Sequence, residues 1–163
     1  MKQFNEYIAE ARIAGPHGIF IKLTPTTDSI LELVARFPEI SVKDLHCTLV
    51  YTHEPFYNIK LPELSQGDQW YGAGIELEFF EGTTKEGFVI LHLESSQIKI
   101  LQKKFFEAGF PDRSDFLEYQ PHVSLISPAK KEDWQSYIDE HNHILKTHPI
   151  HLQFVYGGYV LLD

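Results

Sequence analysis

The sequence predicts an α+β fold in which duplicated strand–helix–strand lobes, with antiparallel sheets, surround a central groove. Short apolar runs bounded by Gly and Pro predict strands, and runs with apolar residues three or four positions apart predict helices. The order of these elements occurs twice. The first unit comprises 19–23, 29–37 and 45–51, and the second comprises 87–93, 95–109 and 121–127. Since no short-period repeat is visible, two related halves of one domain explain the pattern best.

The first half opens with an amphipathic helix predicted at 1–14. The helix at 29–37 has apolar residues on one face and is ended by Pro38. The strand at 45–51 is followed by a predicted loop from Pro55 to about Gln69. A loop of this length is typical of a functional or mobile segment.

The second half begins with a hairpin, because strands predicted at 70–80 and 87–93 are joined by a turn that contains Gly82. The helix at 95–109 ends at Gly109, which suits a C-terminal cap. The last predicted elements are a strand at 121–127, a helix at 131–145 and a strand at 151–162.

The composition indicates one globular domain that spans 1–163, because a chain of 163 residues has the usual size of one domain. Its one cysteine, Cys47, cannot form an internal disulfide. The sequence also contains no pattern typical of a secretion signal and no apolar run long enough to span a bilayer. We therefore expect the protein to work in the reducing cytoplasm, away from membranes.

The charge balance disfavours binding to long nucleic acids. Fourteen Lys and Arg against 23 Asp and Glu give a net charge of −9, and no block of basic residues is present to contact many phosphates. A small nucleotide remains compatible with this charge, because a local pocket can neutralise one or two phosphates.

Two similar tetrapeptides occupy matching places in the two halves. The first is His-Cys-Thr-Leu at 46–49 and the second is His-Val-Ser-Leu at 122–125, both of the form His-x-hydroxyl-Leu. A single histidine on an apolar strand is more often a core residue with a satisfied hydrogen bond. The matched pair favours function, because independent core histidines have no reason to be followed twice by a hydroxyl two residues later.

Strand geometry indicates how these side chains meet. Because side chains alternate between the two faces of a strand, the first motif is expected to place His46 and Thr48 on one face and Cys47, Leu49 and Tyr51 on the other. His122 and Ser124 likewise share a face. If the two strands meet near a pseudo-twofold axis, two imidazoles and two hydroxyls converge on one groove.

Such a groove suits the cleavage of a phosphodiester without a metal or other cofactor. One neutral imidazole can take a proton from the attacking hydroxyl while the other, protonated, gives one to the leaving oxygen. Thr48 and Ser124 can donate hydrogen bonds to the non-bridging phosphate oxygens. The candidate catalytic residues are His46, Thr48, His122 and Ser124.

At these residues the sequence resembles the 2H phosphoesterase superfamily, which carries paired His-x-Thr/Ser-hydrophobic motifs on strands of a duplicated, bilobal fold. The resemblance covers roughly 18–127. It implies that His46 and His122 are the acid and the base and that Thr48 and Ser124 bind the phosphate. The near equivalence of the motifs leaves open which histidine is which.

Within the superfamily the chain looks most like the tailed-phage anti-CBASS phosphodiesterases, which destroy the cyclic oligonucleotide signals of bacterial immunity. The stretches that carry this resemblance are 45–51, 88–93 and 119–125. It implies metal-independent cleavage of 3′–5′ bonds in cyclic di- or trinucleotides such as cGAMP, in the bacterial host cytoplasm. The adjacent ribose 2′-hydroxyl would attack in line, leaving a 2′,3′-cyclic phosphate and an opened ring.

Two rival functions stay open at this point. One is an enzyme that acts on 2′,3′-cyclic phosphates or on 2′–5′-linked RNA ends by the same chemistry. The other is a nucleotide-binding sponge or virion protein without catalysis. The base preference, the ring size and the oligomeric state are also left open by the sequence.

The N-terminal stretch is similar to the capsid-targeting leaders of some tailed-phage internal proteins, which are cut after an Ile/Leu-x-Glu triplet. The triplet at 8–10 is Ile-Ala-Glu. A leader of this kind would be trimmed after Glu10, and the enzyme would be packaged in the virion. A plain amphipathic helix that packs on the domain is the alternative.

Three aromatic residues are candidates for contact with the substrate. Trp70 and Tyr156 lie beside loops or glycines and would stack on bases. Phe20 lies on the first strand, near the predicted groove, although core packing also accounts for it. Lys22 has the same parity as Phe20 and is either a phosphate-neutralising residue or simply solvent-exposed.

The remaining histidines do not predict a metal site. The set at 141, 143, 148 and 151 fits no closed zinc pattern and has no cysteine nearby, so a solvated helix end is the preferred interpretation. His53 and His92 are interpreted in the same way.

Overall fold

The predicted α+β class is confirmed in the computed structural model, which describes residues 12–65, 67–82, 86–111 and 119–163. The strands are β1 (Arg12–Gly15), β2 (Ile19–Pro25), β3 (Cys47–Thr52), β4 (Phe56–Lys60), β5 (Trp70–Glu81), β6 (Gly87–Glu94), β7 (His122–Ala129) and β8 (Ile150–Leu161). The helices are α1 (Thr27–Arg36), α2 (Ser96–Glu107) and α3 (Lys131–Leu145).

Six of these strands form one closed antiparallel sheet in the order β2-β3-β7-β6-β5-β8. Outward from the junction of β3 and β7, the order is β3, β2, β8 on one side and β7, β6, β5 on the other. The units β2-α1-β3 and β6-α2-β7 therefore occupy equivalent places, and in each unit the two strands are neighbours. This mirrored order agrees with the predicted duplication.

The junction of β3 and β7, which we call the seam, is the narrowest connection in the sheet. Among the described residues, Cys47 and Val123 are the one pair in register across it. The pairing of β2 with β3, by contrast, runs from Ile19 to Leu23. The two halves of the sheet therefore share one register pair at the seam, whereas at their other junction, between β5 and β8, the pairs run from Trp70 with Phe154 to Gly74 with Ile150.

The helices cover one face of the closed sheet. Helix α1 packs on β8 and β2, α2 on β5 and β3, and α3 on β5 and β6. Along β2, the alternating residues Ile19, Ile21 and Leu23 are fully buried on this helix-covered face, while Phe20 and Lys22 are half-exposed on the opposite, open face. The hydrophobic core therefore lies between the sheet and the helices.

The helices of the two units begin in the same way. The hydroxyl of Thr26 accepts a hydrogen bond from the Ser29 amide at 3.3 Å, and the hydroxyl of Ser95 accepts one from the Ile98 amide at 3.0 Å. These caps satisfy amides that the first turn of a helix leaves unpaired. Within the described ranges no helix is long and apolar enough to cross a membrane.

Two predicted elements are wrong near the N-terminal side of the fold. The last residues of the predicted helix at 1–14 belong instead to β1, which pairs with β4 in a separate two-stranded sheet. Strand β4 lies inside the segment expected to be a loop from Pro55 to Gln69. The reason is tertiary packing, because Phe56 and Ile59 of β4 are buried in the core. The remaining residues of the predicted helix, 1–11, including the leader triplet, lie outside the described residues.

The predicted alternation along the first motif strand is correct up to a β-bulge. Ile21 pairs with Val50 and Lys22 with Thr48, so β3 has one extra residue, Leu49, at this point. Leu49 and Val50 are both buried. The extra residue reverses the alternation, and Tyr51, expected on the same face as Leu49, is 48% exposed on the open side.

A helix side chain completes β5 where its pairing with β8 ends. The last pair between these strands is Gly74 with Ile150. Beyond it, the Leu77 amide donates to Asn142 Oδ1 at 2.6 Å, and Asn142 Nδ2 donates to the Leu77 carbonyl at 2.9 Å. The Asn142 amide thus takes the place of a neighbouring strand.

We expect Asn142→Ala to lower the free energy of unfolding by about 1–3 kcal/mol, because the substitution leaves two part-buried backbone groups of Leu77 without partners. Urea denaturation measures the change. Gln135→Ala on the exposed side of the same helix is the matched control. Equal stabilities for the two variants would contradict the role of Asn142.

Candidate active site

The two motifs meet at the seam. Antiparallel register around the pair Cys47 and Val123 puts Thr48 at the position opposite His122 and His46 at the position opposite Ser124. Cys47 and Val123 are fully buried on the helix-covered face, whereas the four motif side chains are half-exposed. The open face at the seam therefore carries two imidazoles and two hydroxyls, with each histidine facing the hydroxyl of the other motif.

The two catalytic candidates among the histidines are held in the same way. His46 Nδ1 donates to the backbone carbonyl of Asp44 at 2.7 Å, and His122 Nδ1 donates to the carbonyl of Gln120 at 2.9 Å. Because a carbonyl only accepts, Nδ1 of each ring carries the hydrogen. Asp44 adopts a left-handed backbone with φ of 63° to present its carbonyl. Nε2 of both rings is thereby left to accept or donate a proton.

Aromatic rings surround His46. The ring centroid of Phe20 lies 5.2 Å from that of His46 and 5.7 Å from that of Tyr51, both edge to face. Phe20, which the sequence analysis names as a candidate for substrate contact, thus lies beside the first motif. Lys22 is in register with Thr48 on the neighbouring strand, which places it beside the phosphate-binding candidate.

A third imidazole accompanies His122. His92 is its direct partner in the pairing of β6 with β7, and the ring centroids are 6.5 Å apart. His92 Nε2 lies 2.5 Å from Glu78 Oε2 on the next strand. The two half-sites therefore have unlike neighbours, since the first has aromatic rings and Lys22 and the second has the pair of Glu78 and His92.

Trp70 and Tyr156 are not brought together with the motifs. Trp70 is in register with Phe154, and Tyr156 with Leu23. Both partners are fully buried on the helix-covered face, and both aromatic residues pack against the core. Burial raises the pKa of Tyr156 to about 12.

Trp70 also lines an open pocket of about 360 Å³ beside α2. The other residues that line this pocket are Glu63, Leu64, Asp68, Gln69, Gln97, Ile100, Leu101 and Lys104.

The other histidines are engaged in separate places. The ring centroid of His141 lies 4.2 Å from that of Tyr137, with the rings tilted, and the ring of His151 stacks on that of Tyr71 at 5.8 Å. His148 is bonded to the hydroxyl of Thr147. Among the described residues there is no group of three or more His, Cys, Asp or Glu that could hold a metal ion.

Comparison with known protein families gives one match. The model of the family described as "Anti-CBASS protein Acb1" matches residues 21–151, which include both motifs, the seam and His92. The chain belongs to the Acb1 family of anti-CBASS proteins. Its role is accordingly phage counter-defence against CBASS. No curated protein matches the chain in sequence.

Several residues around this Acb1-family site were not found by sequence reasoning. Asp44 and Gln120 act through their carbonyls, so their side chains gave no signal. Glu78 and His92 lie 14 residues apart in the chain and meet only through strand pairing. Tyr119 was seen only as a neighbour of the second motif, although its hydroxyl bonds to the backbone of the first.

Cys47 lies directly beneath the site, on the helix-covered face. Burial raises the pKa of its thiol to about 11. The thiolate is the reactive form of cysteine. At pH 8 the thiolate is therefore scarce, and the sulfur is also inaccessible.

We expect the native protein to react with a thiol-specific disulfide reagent at pH 8 at least about a hundred times more slowly than the urea-unfolded protein, because both burial and the raised pKa act against the thiolate. Absorbance of the released thiolate follows the reaction, and Cys47 is the one cysteine in the sequence. Equal rates in the two states would contradict the placement of Cys47.

Proposed function

We propose that the chain is a metal-independent phosphodiesterase of the 2H type that opens cyclic di- or trinucleotides at a 3′–5′ bond. The observation that carries the proposal is the register pair of Cys47 and Val123 at the seam, which sets the two motifs side by side on neighbouring strands. In both histidines Nδ1 is occupied by a carbonyl and Nε2 is left for proton transfer.

In the proposed reaction the 2′-hydroxyl next to the scissile bond attacks the phosphorus in line. The neutral imidazole of one motif takes the proton from this hydroxyl, and the protonated imidazole of the other gives a proton to the departing 5′-oxygen. A bond from O2′ to phosphorus forms as the bond from phosphorus to O5′ breaks. The products are a 2′,3′-cyclic phosphate and a free 5′-hydroxyl on an opened ring.

The hydroxyls of Thr48 and Ser124 bind the non-bridging oxygens of the same phosphate. Hydrogen-bond donors aimed at these oxygens stabilise the charge that shifts onto them in the transition state. Lys22, which is in register with Thr48, adds a positive charge at the first half-site. Neither hydroxyl is needed as a nucleophile.

Two observations support a small cyclic substrate. The net charge of −9 opposes a long polyanion but tolerates a ligand with two or three phosphates. Membership of an anti-CBASS family favours the cyclic oligonucleotide signals of that bacterial defence as targets. We place the reaction in the infected host cell, where these signals are made.

We expect His46→Ala and His122→Ala each to lower kcat on a 3′,3′-linked cyclic dinucleotide by about a hundred- to ten-thousand-fold, the usual contribution of a general acid or base. Dinucleotide binding should stay close to wild type. Chromatography with mass detection measures turnover by EDTA-treated protein, and titration calorimetry of the variants measures binding.

His148→Ala, which changes an exposed histidine away from the seam, is the matched control and should keep full activity. Turnover of RNA ends or 2′–5′ linkages alone would favour the rival enzyme. Binding without turnover by the wild-type protein would favour a sponge. Full activity of either motif variant would refute the assigned chemistry.

Because one histidine is the proposed acid and the other the proposed base, we expect the two alanine variants to lose unequal amounts of activity on an activated substrate. In a nucleoside 3′-(4-nitrophenyl) phosphate the 2′-hydroxyl still needs a base, but nitrophenolate leaves without a proton. One of the two alanine variants should therefore recover to within about tenfold of wild type on this ester, and that variant identifies the acid. Release of nitrophenolate is read by absorbance. Equal impairment of both variants on the ester would contradict the split roles.

A further inference from the structure

A chain of two part-buried hydrogen bonds lies at the seam, beneath the four motif side chains. The thiol sulfur of Cys47 lies 3.6 Å from the Tyr119 hydroxyl oxygen. That hydroxyl donates to the Thr48 carbonyl at 2.6 Å. Because the carbonyl takes the Tyr119 hydrogen, the Tyr119 oxygen is left to accept the hydrogen of the thiol.

This chain connects the two halves of the site. Tyr119 lies three residues before His122, in the segment that leads into β7, and its bond reaches the Thr48 backbone on β3. Across the seam the described strands share only the register pair of Cys47 and Val123. The backbone pairing at the seam itself is therefore short, and the bond from Tyr119 to the Thr48 carbonyl adds another connection at this place.

The surroundings of Tyr119 make this connection rigid. Burial raises the pKa of its hydroxyl well above the usual range, and the neighbouring Cys47 adds to the shift. A buried hydroxyl that loses its partner incurs a desolvation cost, so the bond to Thr48 is not readily exchanged for water. The ring itself packs against the hydrophobic core.

We propose that Tyr119, together with Cys47, is a positioning residue that holds the two half-sites at the separation the reaction requires. The inference rests on the proposed phosphodiesterase function. Acid–base cleavage needs both imidazoles on one phosphate at once, and a shift of about 1 Å in such an arrangement can cost up to a hundredfold in rate.

Tyr119→Phe tests this inference, because it removes only the hydroxyl and keeps the ring in the core. We expect kcat on the cyclic dinucleotide to fall about tenfold with KM within about twofold. On the activated ester, which needs only one of the two imidazoles, kcat should fall less than about threefold. A loss of folded protein would lower the rates on both substrates by the same factor. The ratio of the rate on the cyclic dinucleotide to the rate on the ester therefore reports on the placement of the two imidazoles.

Tyr137→Phe is the matched control. The Tyr137 hydroxyl also donates a hydrogen bond, to Glu39 Oε2 at 2.8 Å, and this bond involves no motif residue. Its variant should match wild type on both substrates. Wild-type kcat in Tyr119→Phe, or an equal loss on the two substrates, would overturn the inference while leaving the proposed function intact. An inactive wild-type protein would instead refute the proposed function, and the inference with it.

Cys47→Ala provides a second, independent variant. It breaks the same chain one link earlier and should lower kcat on the cyclic dinucleotide in the same direction. Since the two residues act in series, the double variant should lose less than the product of the two single losses. A loss in the double variant equal to the product of the two single losses would show that Cys47 and Tyr119 act separately, which contradicts a shared chain.

Discussion

The site depends on how little β3 and β7 touch. Side chains at opposite positions of a continuous antiparallel ladder have Cβ atoms about 4.5–5.5 Å apart, which leaves no room for a phosphate between them. Complete separation of the strands would instead put the motifs in different places. One register pair, Cys47 with Val123, brings the motifs to one spot without a continuous ladder along the two strands.

This arrangement is possible because the two faces of the sheet have different tasks. The helix-covered face contains the alternating buried residues that stabilise the fold, including Leu91, Val123 and Leu152. The open face does not contribute these buried residues, and it holds imidazoles, hydroxyls and carboxylates that remain in contact with water. Polar groups kept in contact with water avoid the desolvation cost that a buried site would impose.

Local patterns in the sequence predict much of this architecture. The two strand–helix–strand units and the four motif residues follow from periodicity and spacing. Features that depend on distant pairing were not predictable in this way. The bulge at Leu49 reverses the face of Tyr51. Strand β4 pairs with β1 and packs on the core, and Trp70 lies on the helix-covered face because its register partner is Phe154. Side-chain alternation carries no information about register between strands that lie far apart in the chain.

The unlike neighbours of the two motif histidines give the groove a direction. Phe20 lies against His46, whereas His92 and Glu78 stand beside His122. A ring made from two different nucleotides offers two chemically distinct linkages, and a fully symmetric cleft would accept it equally well in either orientation. Here one end of the cleft is aromatic and the other is ionisable, so such a ring meets a different surface when it is turned around. Under the proposed function, a preference between its two linkages would therefore come from these side chains, since the order of the strands is the same in both halves.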